Sequence, residues 1–208
     1  MIRRANTQGF TLIELMIALA FVAFILIFAT TAVIQVMQTY NKGIAVKQIN
    51  QAGRSTLEDM SRYIRSADPA AVNTAALASS RRVCFGGVSY VWNLYNTPAA
   101  SANKYDDGSA LTLTRVNDAA SAMCTSTAGA YPAVPKAQAA DVLSSNVWVM
   151  ALTVSQPTVA VPLVDISIKL AVANDPTISA GQCITGGTVG QFCATSDFST
   201  TVIAGGGN

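Results

Sequence analysis

Histidine is absent from the 208 residues. That removes Ser-His-Asp and Cys-His catalysis, the zinc-protease helix motif and most transition-metal sites together. Charge is also scarce, at 12% of residues, and thirteen cations against eleven anions leave a net +2. So small a bias argues against nucleic acid as a partner. No phosphate loop, nucleophile elbow or close carboxylate pair on one element is present. No enzyme is implied, and no cofactor or metal. Proline does not occur before Pro69, and glutamate does not occur after Glu58. The 51% apolar content is too high for a disordered chain.

The few charges are unevenly placed. Arg3 and Arg4 stand alone in the first nine residues, and from Leu15 to Ile34 no charge, Pro or Gly occurs. Twenty helical residues span about 30 Å, the thickness of a bilayer core. A buried helix of a soluble domain is rarely apolar on every side for so long. The run predicts a transmembrane helix, and the flanking arginines place the N-terminus in the cytoplasm. A secretory signal peptide would have a shorter apolar region ending at a small-x-small site. Here the helical pattern continues past Ala32.

Glu14 stands inside the first apolar turns, where a carboxylate costs up to a few kcal/mol unless it snorkels or is paired. Two readings stand open. It reaches back to the membrane surface, or it meets a neighbouring helix's amine or N-terminus.

The junction Gly9-Phe10-Thr11-Leu12-Ile13-Glu14-Leu15, with its basic leader and apolar helix, resembles the class III leader of type IV pilins and type II secretion pseudopilins. The resemblance implies cleavage between Gly9 and Phe10 by prepilin peptidase, N-methylation of Phe10, and a role for Glu14 in assembly. The implied partners are other pilin or pseudopilin subunits, the peptidase, the inner membrane and the pilus assembly machinery. The location implied is the inner membrane and then an extracytoplasmic filament. Major pilins often carry a mid-helix proline that this chain lacks, which points to an accessory subunit. The close of the chain, Phe198 to Asn208, is similar to PilW-like minor pilins and J-type pseudopilins. A major pilin, or a membrane-anchored adhesive ectodomain that never polymerises, remains the alternative.

Beyond the membrane segment, Met37, Tyr40, Ile44, Ile49, Ala52, Leu57, Met60 and Ile64 recur at steps of three to five and predict one apolar stripe. Gly43 and Gly53 weaken the helix by about 1 kcal/mol each relative to Ala without ending it. Asp68-Pro69 ends it. The helix is thus expected from Phe10 to about Ser66, roughly 85 Å.

The pattern then turns to β. Strands are expected at Val83 to Phe85, Val88 to Tyr95, Leu111 to Val116, Val147 to Val154, Leu163 to Val172 and Phe198 to Ile203. Leu111 to Val116 and Val164 to Leu170 alternate, so each should bury one face and wet the other. Asp106-Asp107-Gly108 reads as a turn rather than a calcium loop. Cys84, Cys124, Cys183 and Cys193 all fall in the part placed outside, where an even count argues for disulfides. Of three connectivities, Cys84–Cys124 with Cys183–Cys193 is the simplest.

The expected fold class is α+β and pilin-like, a long N-terminal helix packed on a C-terminal antiparallel β-sheet head. The expected organisation is a leader (1–9), a transmembrane or filament-core helix (10–36), its amphipathic continuation (37–67) and an extracellular head (68–208).

Overall fold

The structure is a computed structural model that describes residues 11–74, 80–95, 97–98, 101–125, 131–156, 161–173, 178–179, 182–183 and 193–205. At 173, 178–179, 182–183 and 193 it describes the backbone only. The chain divides into two compact units, 1–41 and 42–208. A single α-helix, α1, runs Leu12–Ser66. It stops where Asp68 caps a short turn at Pro69–Ala71, its Oδ1 accepting from the Ala70 N–H at 2.9 Å. Proline cannot continue an α-helical ladder, so the stop is local in origin.

Within 42–208 the strands form antiparallel sheets. β1 (Val72–Asn73), β2 (Arg82–Phe85), β3 (Val88–Trp92), β4 (Leu113–Asn117) and β5 (Ala139–Asp141) pair in chain order. A second sheet has the order β10-β7-β6, from β6 (Val147–Ser155), β7 (Leu163–Ala173) and β10 (Cys193–Ile203). A two-residue pair joins β8 (Ile178–Ser179) to β9 (Gln182–Cys183). The two larger sheets meet at Leu94 and Val149, where the Tyr95 N–H donates to the Val149 carbonyl at 3.0 Å.

The second half of α1 shares one core with both sheets. Ile49, Met60 and Ile64 pack with Tyr90, Trp92 and Leu113 of the first sheet and Ile166, Ile168 and Leu170 of the second. Each such side chain contributes about 1.5–3 kcal/mol when fully buried. The antiparallel head on a long helix is thus present, with its sheet divided in two.

Several sequence expectations are corrected here. The buried stripe of α1 is Ala45, Ile49, Gly53, Thr56, Met60, Ser61 and Ile64, while Met37, Tyr40 and Ile44 are exposed. Small residues, not large ones, mark half of this face, because they let the sheets approach. At Gly53 a Cβ would lie 2.3 Å from Phe198 Cε2. A hydrophobicity count passes over such positions.

β4 does not alternate as expected. Leu113, Thr114 and Val116 are all buried, because the first sheet is covered on both faces. Its far side carries a second core of Cys84, Val91, Tyr105, Leu111, Val116, Met123, Cys124 and Val134. β7 does alternate, with Val164, Ile166, Ile168 and Leu170 inside and Asp165 and Ser167 outside. β10 begins five residues earlier than expected, since it pairs with β7 along its whole length.

Polar contacts tie α1 to the first sheet. Arg115 Nη1 donates to Asp59 Oδ1 at 2.6 Å, and the Tyr90 hydroxyl donates to Asp59 Oδ2 at 2.9 Å. Burial, together with the Asp59 carboxylate, pushes the Tyr90 phenol well above the ordinary tyrosine range. In the second core the buried Arg82 donates to Asn103 Oδ1 and to the carbonyls of Met123 and Pro132. Burial lowers its pKa to about 10. The carbonyl and amide oxygens replace the water such a cation loses.

Candidate assembly site at the N-terminal helix

The first described turn of α1 holds a reciprocal hydrogen-bond pair. The Thr11 N–H donates to Glu14 Oε2 at 3.0 Å, and the Thr11 hydroxyl donates to the same oxygen at 2.9 Å. In return the Glu14 N–H donates to Thr11 Oγ1 at 3.3 Å. This is a capping box, in which Thr at the helix start and Glu three residues on satisfy each other's free backbone donors. Such a box stabilises the first turn by about 1 kcal/mol.

The sequence reading missed Thr11, although the Thr-x-x-Glu spacing before an apolar run is the pattern that marks it. The box also adds a third role to the two open readings of Glu14. Its carboxylate need not go unpaired at the helix start. The other oxygen, Oε1, has no partner among the described residues and can still accept from an outside donor.

From Leu12 to Val36 the apolar side chains are exposed on every side of the helix. Phe24 and Phe28 are 71% and 72% exposed, against 1% for Ile49 and 0% for Ile64. The two threonines in this stretch turn their hydroxyls inward on the backbone. Thr30 Oγ1 donates to the Ile27 carbonyl at 2.9 Å and Thr31 Oγ1 to the Phe28 carbonyl at 2.8 Å. Hydroxyls bonded in this way are satisfied without water. The helix is long and apolar enough to cross a membrane by length and composition. Among the described residues nothing covers this surface, and an exposed apolar patch of such size marks a contact with lipid or with other chains.

Gly9 and Phe10, the expected cleavage and methylation positions, lie outside the described residues. Cys84 and Cys124 are joined by a disulfide across the second core of the head. It staples β2 to the turn at Ala122–Cys124. Cys183 lies on β9 and Cys193 opens β10, but their pairing lies outside the described side chains.

The Asp106-Asp107-Gly108 segment is a turn, with Gly108 at φ +81°. Asp107 accepts from the Ser109 N–H and from Lys136 Nζ. These hydrogen bonds, with that from Lys136 foremost, hold its carboxyl below the usual carboxylate range. Among the described residues no group of three or more His, Cys, Asp or Glu is placed to hold a metal ion.

No curated protein and no solved structure matches the chain. Residues 4–30 match the family model of the prokaryotic N-terminal methylation motif. The match includes Gly9, Phe10, the Thr11–Glu14 turn and most of the bare apolar helix. The N-terminal segment therefore carries the methylation motif of class III signal peptides, consistent with the type IV pilin and pseudopilin family.

Proposed function

We propose that the chain is a structural subunit, a minor pilin or pseudopilin, of a type IV pilus or a type II secretion pseudopilus. The observation that carries this reading is the methylation motif together with a helix whose apolar residues from Leu12 to Val36 stay exposed among the described residues. On this reading prepilin peptidase cuts between Gly9 and Phe10, and Phe10 becomes the methylated N-terminus. Arg3 and Arg4 keep the leader in the cytoplasm, and the head lies outside. The helix is held first by the inner membrane and then by neighbouring subunits. Its role is structural, not enzymatic.

Glu14 acts in assembly by pairing with the Phe10 amine of a neighbour. A charge pair made in low dielectric is costly to break, so it sets register between helices. The capping box makes the test sharper, because Gln fills the same cap position without the charge.

Mass spectrometry of the extracellular protein should therefore begin at Phe10, with a methyl group. Glu14→Gln should keep its helix start, be cleaved, and enter purified filaments poorly. A chain beginning at Met1 would overturn the processing. Normal incorporation of the cleaved Glu14→Gln protein would leave Glu14 a cap and nothing more.

A further inference from the structure

β10 lies at one end of its sheet, and among the described residues no strand pairs with its other edge. The phase of that edge can be read from two contacts. The Ala204 N–H donates to the Pro162 carbonyl, and the Val149 carbonyl turns away from β7 to accept from Tyr95. In an antiparallel ladder, residues alternate between bonding the neighbouring strand and facing away from it. With the β10–β7 register, Thr195, Asp197, Ser199, Thr201 and Ile203 turn their amides and carbonyls outward.

Proteins blunt such edges with Lys, Pro, a bulge or brevity. β10 spans eleven residues, Cys193–Ile203, with no Lys or Pro, and its register with β7 is unbroken.

Beside this edge lies a cleft of about 700 Å³, walled by α1 and closed by Ser199 and Thr200. The helical wall carries Arg54, Arg62 and Arg65 with a single acid, Glu58. None of the three exposed arginines makes an ion pair or a side-chain hydrogen bond among the described residues. From Arg54 to Arg65 the wall rises roughly 17 Å, the length of about five extended residues.

We propose that the free edge of β10 and the arginine-lined cleft form one docking site for an extended acidic segment of a partner polypeptide, added as a fourth strand. The strand's backbone meets the outward amides and carbonyls, and acidic side chains at alternate positions meet the arginines. A phosphate polymer would satisfy the arginines and leave the strand edge unpaired. Two copies joined edge to edge along β10 would bring their arginine walls together, which opposes that pairing.

The test uses the full chain in detergent micelles and a fluorescent heptapeptide, Thr-Glu-Val-Glu-Val-Glu-Thr. A Lys-for-Glu version and a version N-methylated at alternate peptide bonds serve as comparators. The acidic peptide should bind below about 1 mM and slow hydrogen exchange at Ser199 and Thr201 by about tenfold or more. N-methylation, or the triple variant Arg54→Ala, Arg62→Ala, Arg65→Ala, should weaken binding by about tenfold or more. The proposal is overturned by equal binding of the Lys or N-methylated peptide, or by no binding at about 1 mM. It is also overturned if the chain alone dimerises with Ser199 already protected.

Discussion

Residues 12–41 and 42–66 belong to one helix and are stabilised in opposite ways. The first stretch exposes its apolar side chains all round. In the second, Ile49, Met60 and Ile64 are covered by the chain's own strands. Hydrogen bonding within the helix is the same in both, so the difference lies in what buries the side chains. A helix in water owes most of its stability to such packing. The head is covered by its own strands, while the described residues leave the apolar side chains of the first stretch uncovered. A defect in one stretch should leave the other intact.

The largest effect expected comes from removing one side chain from each stretch. Ile64→Ala leaves a cavity in the core and should cost the head about 2–5 kcal/mol. Phe24→Ala deletes a larger side chain, yet one with nothing packed on it, and should leave the head's stability unchanged. Urea unfolding in detergent, followed through the buried Trp92, compares the two. An equal loss from Phe24→Ala would break the division, because it would mean that the head leans on residues 12–41.

The two glycines of α1 sharpen the comparison within the second stretch. Nothing lies within 4 Å of a Cβ built at Gly43, whereas at Gly53 the Phe198 ring is already in the way. Gly43→Ala should stabilise the helix by about 1 kcal/mol through propensity alone. Gly53→Ala gains the same term but overpacks the contact with the second sheet, at about 1–3 kcal/mol. The net result should be a loss of about 1 kcal/mol, smaller in the double variant with Phe198→Leu. A thermal melt in which Gly53→Ala is the more stable protein would show that the ring yields freely.

That contrast also explains which parts of the fold were legible in the sequence. The apolar run and the Asp68-Pro69 stop gave the long helix, because composition and a backbone constraint are local properties. Six strands were legible from β-branched and aromatic runs. β1, β5, β8 and β9 were not, since segments of two or three residues such as Val72–Asn73 and Ala139–Asp141 are strands only because a neighbour pairs with them. The first residues of β10 are polar and small, and β7 imposes their extended form. The helix stripe was misread for a related reason. Ala45, Gly53 and Thr56 are defined by the closeness of the sheets, which no hydrophobicity scale records. At the N-terminus the motif is plain in the sequence, but the part of Thr11 lies in the three-residue spacing to Glu14 and not in the charge that makes Glu14 stand out.

The smallest effect expected separates the two units by pH. From Leu12 to Thr39 the only ionisable side chain is Glu14, so nothing there titrates between pH 10 and 12. The head, in contrast, holds Tyr105, buried in the second core. Its hydroxyl bonds to Asp141 Oδ1 and lies 2.7 Å from Thr114 Oγ1. Burial first, and then the hydrogen bond to Asp141, push its phenol up to about 12. A phenol whose folded pKa is raised gives stability that is fully present below its unfolded value, near 10. That stability is lost as the pH rises through 10 toward 12. After discounting for solvent screening the loss is at most about 1 kcal/mol. Tyr105→Phe removes the titrating group, while Thr114 still donates to Asp141 at 2.9 Å. Urea unfolding in detergent at pH 9, 11 and 12 should therefore show a shallower decline in Tyr105→Phe than in the parent. The helical signal of residues 12–41 should persist in both, since alkali removes no contact there. Equal slopes in the two proteins would mean that the phenol ionises as it would in water and that the second core admits solvent.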